Sequence, residues 1–65
     1  MVDVILLEEL RQQRGFTQEQ LSFKLGYKSP STYGMKVRGQ RVFMIRDLVL
    51  LANIFGVSTD YLLQR

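Results

Sequence analysis

Four glycines cut this chain into short segments of helical period, and that punctuation leaves little room for anything but a set of short helices. Gly15, Gly26, Gly39 and Gly56 each follow a stretch whose apolar residues recur every three or four positions, and glycine just past such a stretch is the common left-handed helix stop. Pro30 is the single proline, and no strand-like alternation persists beyond a few residues. The spacing predicts five helices. The first covers Val4 to Arg14, with Leu7 and Leu10 on one face, Glu8 and Glu9 early, and Arg11 and Arg14 late, as the helix dipole favours. The second runs from Gln18 to Leu25 with Leu21 and Leu25 inward, after a Thr17-x-x-Gln20 capping-box spacing and Phe16 as a staple residue.

The third helix is expected over Pro30 to Arg38, with Ser29 as N-cap and proline at the first helical position, where a missing N–H costs nothing. The fourth spans Ile45 to Phe55 with Ile45, Leu48, Leu51, Ala52 and Phe55 on its inner face. Ser58 caps a last helix, Thr59 to Gln64, from which Leu62 and Leu63 pack back. Loops of about two to six residues between such helices imply a compact, all-α, five-helix domain.

A chain of 65 residues makes one domain, residues 1–65, and at this size only about 60% of the unfolded surface is buried. With 46% apolar residues it can fill a small core without staples, which suits a sequence that has no cysteine. Neither cysteine nor histidine is present, so metal centres and most hydrolase triads are not expected, and no cofactor is implied. The six carboxylates are scattered and no glycine-rich phosphate loop appears, so an enzyme is not expected. The apolar run Val4-Ile5-Leu6-Leu7 is too short to cross a membrane, and it lacks the basic flank and cleavage site of a signal peptide. A soluble protein in a reducing, cytoplasmic setting is the expectation.

The net charge of +3 is concentrated in one place. From Gln20 to Arg46 the chain carries Lys24, Lys28, Lys36, Arg38, Arg41 and Arg46 with no Asp or Glu, while both flanks are net acidic. Solvated surface charge is one reading of this run. The other is an electrostatic footprint for nucleic acid, because the same segment holds two short helices joined by a tight turn, Thr17 to Gly39. The second helix of such a pair reads the major groove. Its outward residues near the start are Ser31, Thr32 and Met35; Ser and Thr can bond base edges and Met can pack on a thymine methyl, although Ser and Thr also cap helices locally. Lys36 or Lys28 could add a base contact. Lys28, Arg38 and Arg41 flank the helix as phosphate clamps, and Gln18 with the free N–H groups beside it offers a phosphate seat or merely decorates the helix start.

Leu10-Arg11, Arg14-Gly15-Phe16-Thr17-Gln18-Glu19-Gln20-Leu21, Lys24-Leu25-Gly26, Arg38-Gly39 and Leu51-Ala52 followed by Phe55-Gly56-Val57-Ser58-Thr59-Asp60-Tyr61-Leu62-Leu63 occur in this order at near-constant spacing. Together they resemble the Cro/repressor-type (lambda-repressor-like, XRE) helix-turn-helix domains over about Leu7 to Leu63. The resemblance implies that Gln18 contacts the DNA backbone, that Tyr33 fills a buried apolar position, and that the protein is bacterial or phage-encoded. It also implies a homodimer on an operator in double-stranded DNA, with half-sites about one helical turn apart. Dimer contacts are then expected from Phe43, Met44, Val49 and Leu50. No membrane or small-molecule partner is implied.

Four departures from that pattern stand out. The turn Tyr27-Lys28-Ser29-Pro30 is one residue longer than usual. Lys36-Val37 replaces a large apolar residue followed by Glu; that Glu often pairs with the first-helix arginine, which frees Arg11 to meet phosphate. Either the third helix rotates to bury Met35 or Val37, or Lys36 snorkels past the core. Gly34 costs the helix about 1 kcal/mol against alanine and suggests a close approach to DNA. Val42-Phe43-Met44 places three apolar residues in a loop, as extra core or a protein contact. The function these features imply is a DNA-binding regulator, a repressor or Cro-like switch. The alternative is a protein-binding module of the same fold, such as a toxin-neutralising antitoxin.

Overall fold

Two leucines of the first segment, Leu7 and Leu10, are buried against Leu21, Leu25, Tyr33, Leu51, Ala52, Phe55 and Leu62, so one residue set from every segment closes a single core. A computed structural model describes residues 2–63 and contains five helices: α1 Val4–Gln13, α2 Gln18–Lys24, α3 Thr32–Val37, α4 Ile45–Phe55 and α5 Thr59–Leu62. Among the described residues there is no strand. The molecule measures 27 × 23 × 18 Å. The five-helix, all-α architecture is the one expected.

The starts of α1, α2 and α5 have local causes. Asp3 caps α1 by accepting from the Leu6 N–H, and its own N–H donates to Leu62 O at 3.0 Å, tying α1 to α5. Thr17 and Gln20 form the reciprocal capping box at the start of α2, with bonds of 3.0 and 2.8 Å. Ser58 accepts from the Tyr61 N–H at the start of α5. Gly26 ends the α2 turn at φ +91°, and Gly56 closes α4 in the left-handed region at φ +71°, conformations that a residue with a Cβ reaches only under strain. The Arg14 guanidinium, just past the end of α1, donates to Phe55 O at 2.7 Å and so satisfies an end carbonyl of α4.

Several expectations are corrected. The third helix begins at Thr32, two residues after Pro30; the Ser29 hydroxyl accepts from the Ser31 N–H within a preceding turn instead of capping a helix, and Ser31 at the N-cap makes no side-chain cap bond. Ile45 is 82% exposed and does not join the inner face of α4, because the first turn of that helix directs Asp47 and Leu48 inward instead; Leu48, Leu51, Ala52 and Phe55 form that face. In α5 Leu62 is fully buried but Leu63 is exposed. Gln64, expected to end that helix, lies outside the described residues.

Candidate nucleic-acid interface

α2 and α3 pack directly on each other, and a buried serine pins the turn between them. The Ser22 Oγ accepts from the Tyr33 N–H at 2.9 Å and lies 3.0 Å from Pro30 O and 3.1 Å from Gln18 O, to either of which it donates. One hydroxyl thereby holds the α2 backbone, the extra-length turn and the first turn of α3 in one register. Sequence reasoning passed over Ser22; its position between Leu21 and Leu25 on the inward side of a short helix was the available signal.

This frame decides which side chains face outward. Ser31 is exposed and Met35 is half-buried. Thr32, at 3% exposure, and Lys36, at 5%, are buried. Neither can reach a base edge as expected: Thr32 is covered by its surroundings, and Lys36 is consumed by an internal ion pair. Its Nζ lies 2.9 Å from Asp47 Oδ2 and donates to Val42 O at 2.7 Å, above the Tyr27 ring at 5.1 Å from the centroid. Asp47 is fully buried and also accepts from the Tyr27 hydroxyl at 2.6 Å and the Met44 N–H at 2.8 Å. Burial acts to raise the Asp47 carboxyl, but the hydrogen bonds from Tyr27, Lys36 and Met44 outweigh it and hold the group below the ordinary aspartate range. The ammonium thus occupies the place of the large apolar residue. Neither rotation of α3 nor snorkelling is needed, because the carboxylate comes in from α4 to meet it.

The basic field is correspondingly smaller than the sequence suggests. Arg46 donates to Leu25 O and sits 3.8 Å from Asp47. Lys24, over the Phe16 ring at 5.4 Å, and Lys28, Arg38 and Arg41 are exposed and in no ion pair among the described residues. Three of these, Lys28, Arg38 and Arg41, lie before and after α3 in the chain.

Arg11 is not freed. Its guanidinium makes a forked bond to Glu8 on its own helix, at 3.0 and 2.9 Å, and donates to Phe16 O at 2.7 Å. A partner one turn upstream replaces the glutamate missing from α3. Glu8 also accepts from Gln18 Nε2 at 3.1 Å. Burial tends to raise the Glu8 carboxyl, yet the bonds from Arg11 and Gln18 leave it below its ordinary value. The Tyr33 ring is core, as the resemblance implies, and its buried hydroxyl has no hydrogen-bond partner among the described residues. Burial, with the nearby Glu8 charge adding to it, pushes that phenol far above its usual value.

Of the expected dimer contacts, Phe43 packs inward, edge-on to Tyr33 with ring centroids 6.2 Å apart, and Leu50 is half-buried against the core. Met44 and Val49 remain exposed, and Ile45 joins them. No helix among the described residues is long and apolar enough to cross a membrane.

The helix-turn-helix family model matches residues 7–62. No curated protein and no solved structure matches the chain. With most of its length matched, the chain belongs to the XRE-type helix-turn-helix family of DNA-binding regulators.

Proposed function

We propose that this helix-turn-helix protein is a sequence-specific regulator of the repressor or Cro-like kind, which lays the start of α3 in the major groove of an operator. The observation that carries the reading is the exposed side of the α2–α3 unit, where Ser31 and Met35 are flanked by Lys28, Arg38 and Arg41, cations in no ion pair among the described residues. Cations at the ends of the reading helix set register on phosphates, and the small polar and thioether groups between them meet base edges and thymine methyls. Gln18, at the start of α2, adds a backbone contact. With no bidentate Arg or Gln on the reading face, base discrimination rests on few groups, so sequence selectivity is modest.

The protein acts as a homodimer in this reading. Ile45 and Val49 stand one turn apart on α4, next to Met44, and their exposures of 82, 46 and 53% form an apolar surface that a second copy would cover.

Titration of duplex DNA at several salt concentrations tests the assignment. Replacing Lys28, Arg38 or Arg41 by alanine lowers the salt slope by about 1 each and weakens binding at every sequence, whereas Ser31 and Met35 variants change which duplex is preferred. Unchanged slopes in all three cation variants sink the reading. Sedimentation that finds a monomer, both free and on a two-half-site duplex, sinks the dimer.

A further inference from the structure

Gly34 lies in the middle of α3 and is buried, although it has no side chain to bury. What covers it are two side chains, Gln18 from α2 and Arg38 from the C-cap of α3 itself. A Cβ placed on Gly34 would come within 2.8 Å of Gln18 Oε1 and 3.1 Å of Arg38 Nη1. The first distance is closer than real Cβ contacts allow, and the second is tight. The other end of the Gln18 carboxamide is tethered: its Nε2 donates to Glu8 Oε1 at 3.1 Å, and Glu8 is itself fixed by the forked bond from Arg11. Gln18 is thus held at its nitrogen by α1 and rests its oxygen on the bare backbone of α3, with the Arg38 guanidinium alongside.

We infer that Gly34 is a positioning residue for DNA binding: its missing side chain is the seat in which the Gln18 carboxamide and the Arg38 guanidinium lie, with Glu8 as the tether. The inference rests on the reading of Gln18 and Arg38 as duplex contacts. It replaces the expectation that the glycine lets DNA itself approach the helix, because the space above it is already filled by protein. Gly34 has no positive φ, so alanine suits its backbone, and the two atoms that an added methyl meets are the ends of flexible side chains. Gly34→Ala should therefore fold, with a melting midpoint held or raised by up to about 4–8 °C through better helix propensity, while both side chains are pushed off their seat.

Two measurements separate the seat from the DNA reading. Without DNA, the side-chain NH2 resonances of Gln18 should shift in Gly34→Ala; unmoved resonances, or a lowered melting midpoint, overturn the seat. With DNA, binding is measured to a mixed-sequence duplex and to one recovered by selection from a random pool. Gly34→Ala and Gln18→Ala should each weaken binding by about tenfold, the loss of a positioned polar or charge-assisted contact. Adding Gly34→Ala to Gln18→Ala should cost less than about twofold more, since the seat has then lost its main occupant. Wild-type affinity in Gly34→Ala, or full additivity of the two substitutions, overturns the inference and leaves the DNA reading intact. A wild-type chain that binds neither duplex overturns the DNA reading, and with it the functional role of the seat.

Discussion

The Lys36 ammonium and the Asp47 carboxylate form a buried ion pair, 2.9 Å apart, between α3 and α4. Around it, the Tyr27 hydroxyl, the Met44 N–H and the Val42 carbonyl take up further bonding positions, so the loop leading into α4 is tied to both helices. Removing one partner strands the other charge in the core, at a cost of about 3–5 kcal/mol. For a domain of this length the whole stability is of order 3–10 kcal/mol. Asp47→Ala or Lys36→Ala should therefore unfold the domain or nearly so. The joint replacement Lys36→Met with Asp47→Leu should recover most of the loss, as well-packed apolar substitutes for buried pairs do. Urea titration of the three variants checks this; single variants as stable as the parent would contradict the buried pair.

Acid should find the same carboxylate. Asp47 and Glu8 are both held below their ordinary values by the bonds they accept, so the unfolded chain binds protons more readily than the folded one. Their contribution is fully present above the unfolded values of about 3.9 and 4.3, and is lost as pH falls through the lower folded values. The melting midpoint should be level from neutral pH to about 5 and fall below about 4. Glu8→Gln should flatten part of that fall. A midpoint that rises on acidification would contradict the sign.

How much of this was legible in the sequence depends on whether a residue's partner was local. The capping boxes, the glycine stops and the inner leucines act within one or two turns, and α1, α2, α4 and α5 stand within a residue or two of their expected bounds. Lys36 misled because its fate is decided by Asp47, eleven positions on, and a lysine preceding Val37-Arg38-Gly39 in a basic run looks like surface charge. Arg11 and Glu8 are neighbours on one helix, yet the pairing was hidden by the expectation that the partner sits on α3. Ile45 fits the apolar stripe of α4, but the inward place in the first turn of that helix is taken by Asp47, whose partner Lys36 lies on α3. The exposure of Ser31, Lys28, Arg38 and Arg41 was legible from position alone, whereas the burial of Thr32 was not.

That serine supplies a test of the turn. Ser22→Ala removes the acceptor for the buried Tyr33 N–H and a donor to Pro30 O, and a buried unsatisfied polar group costs about 1–3 kcal/mol. The loss should also loosen the turn, seen as faster amide exchange over residues 28–33 than over α4. Uniform exchange across the domain would show that the hydroxyl does not hold the turn specifically.

Tyr33 separates shape from hydrogen bonding in the core. Its ring is fully buried and meets Phe43 edge-on, while its hydroxyl has been taken out of water without a partner. Desolvating an unpaired hydroxyl is unfavourable by about 1–3 kcal/mol on the scale of protein mutations. Tyr33→Phe keeps the ring, its volume and the edge-on contact, and deletes only the stranded oxygen. The variant should be at least as stable as the parent, with a melting midpoint unchanged or raised by a few degrees. A drop of more than about 1 kcal/mol, the net worth of an ordinary hydrogen bond, would mean that the hydroxyl is bonded to Glu8 in solution and that the α1–α3 contact has a polar tie as well as an apolar one.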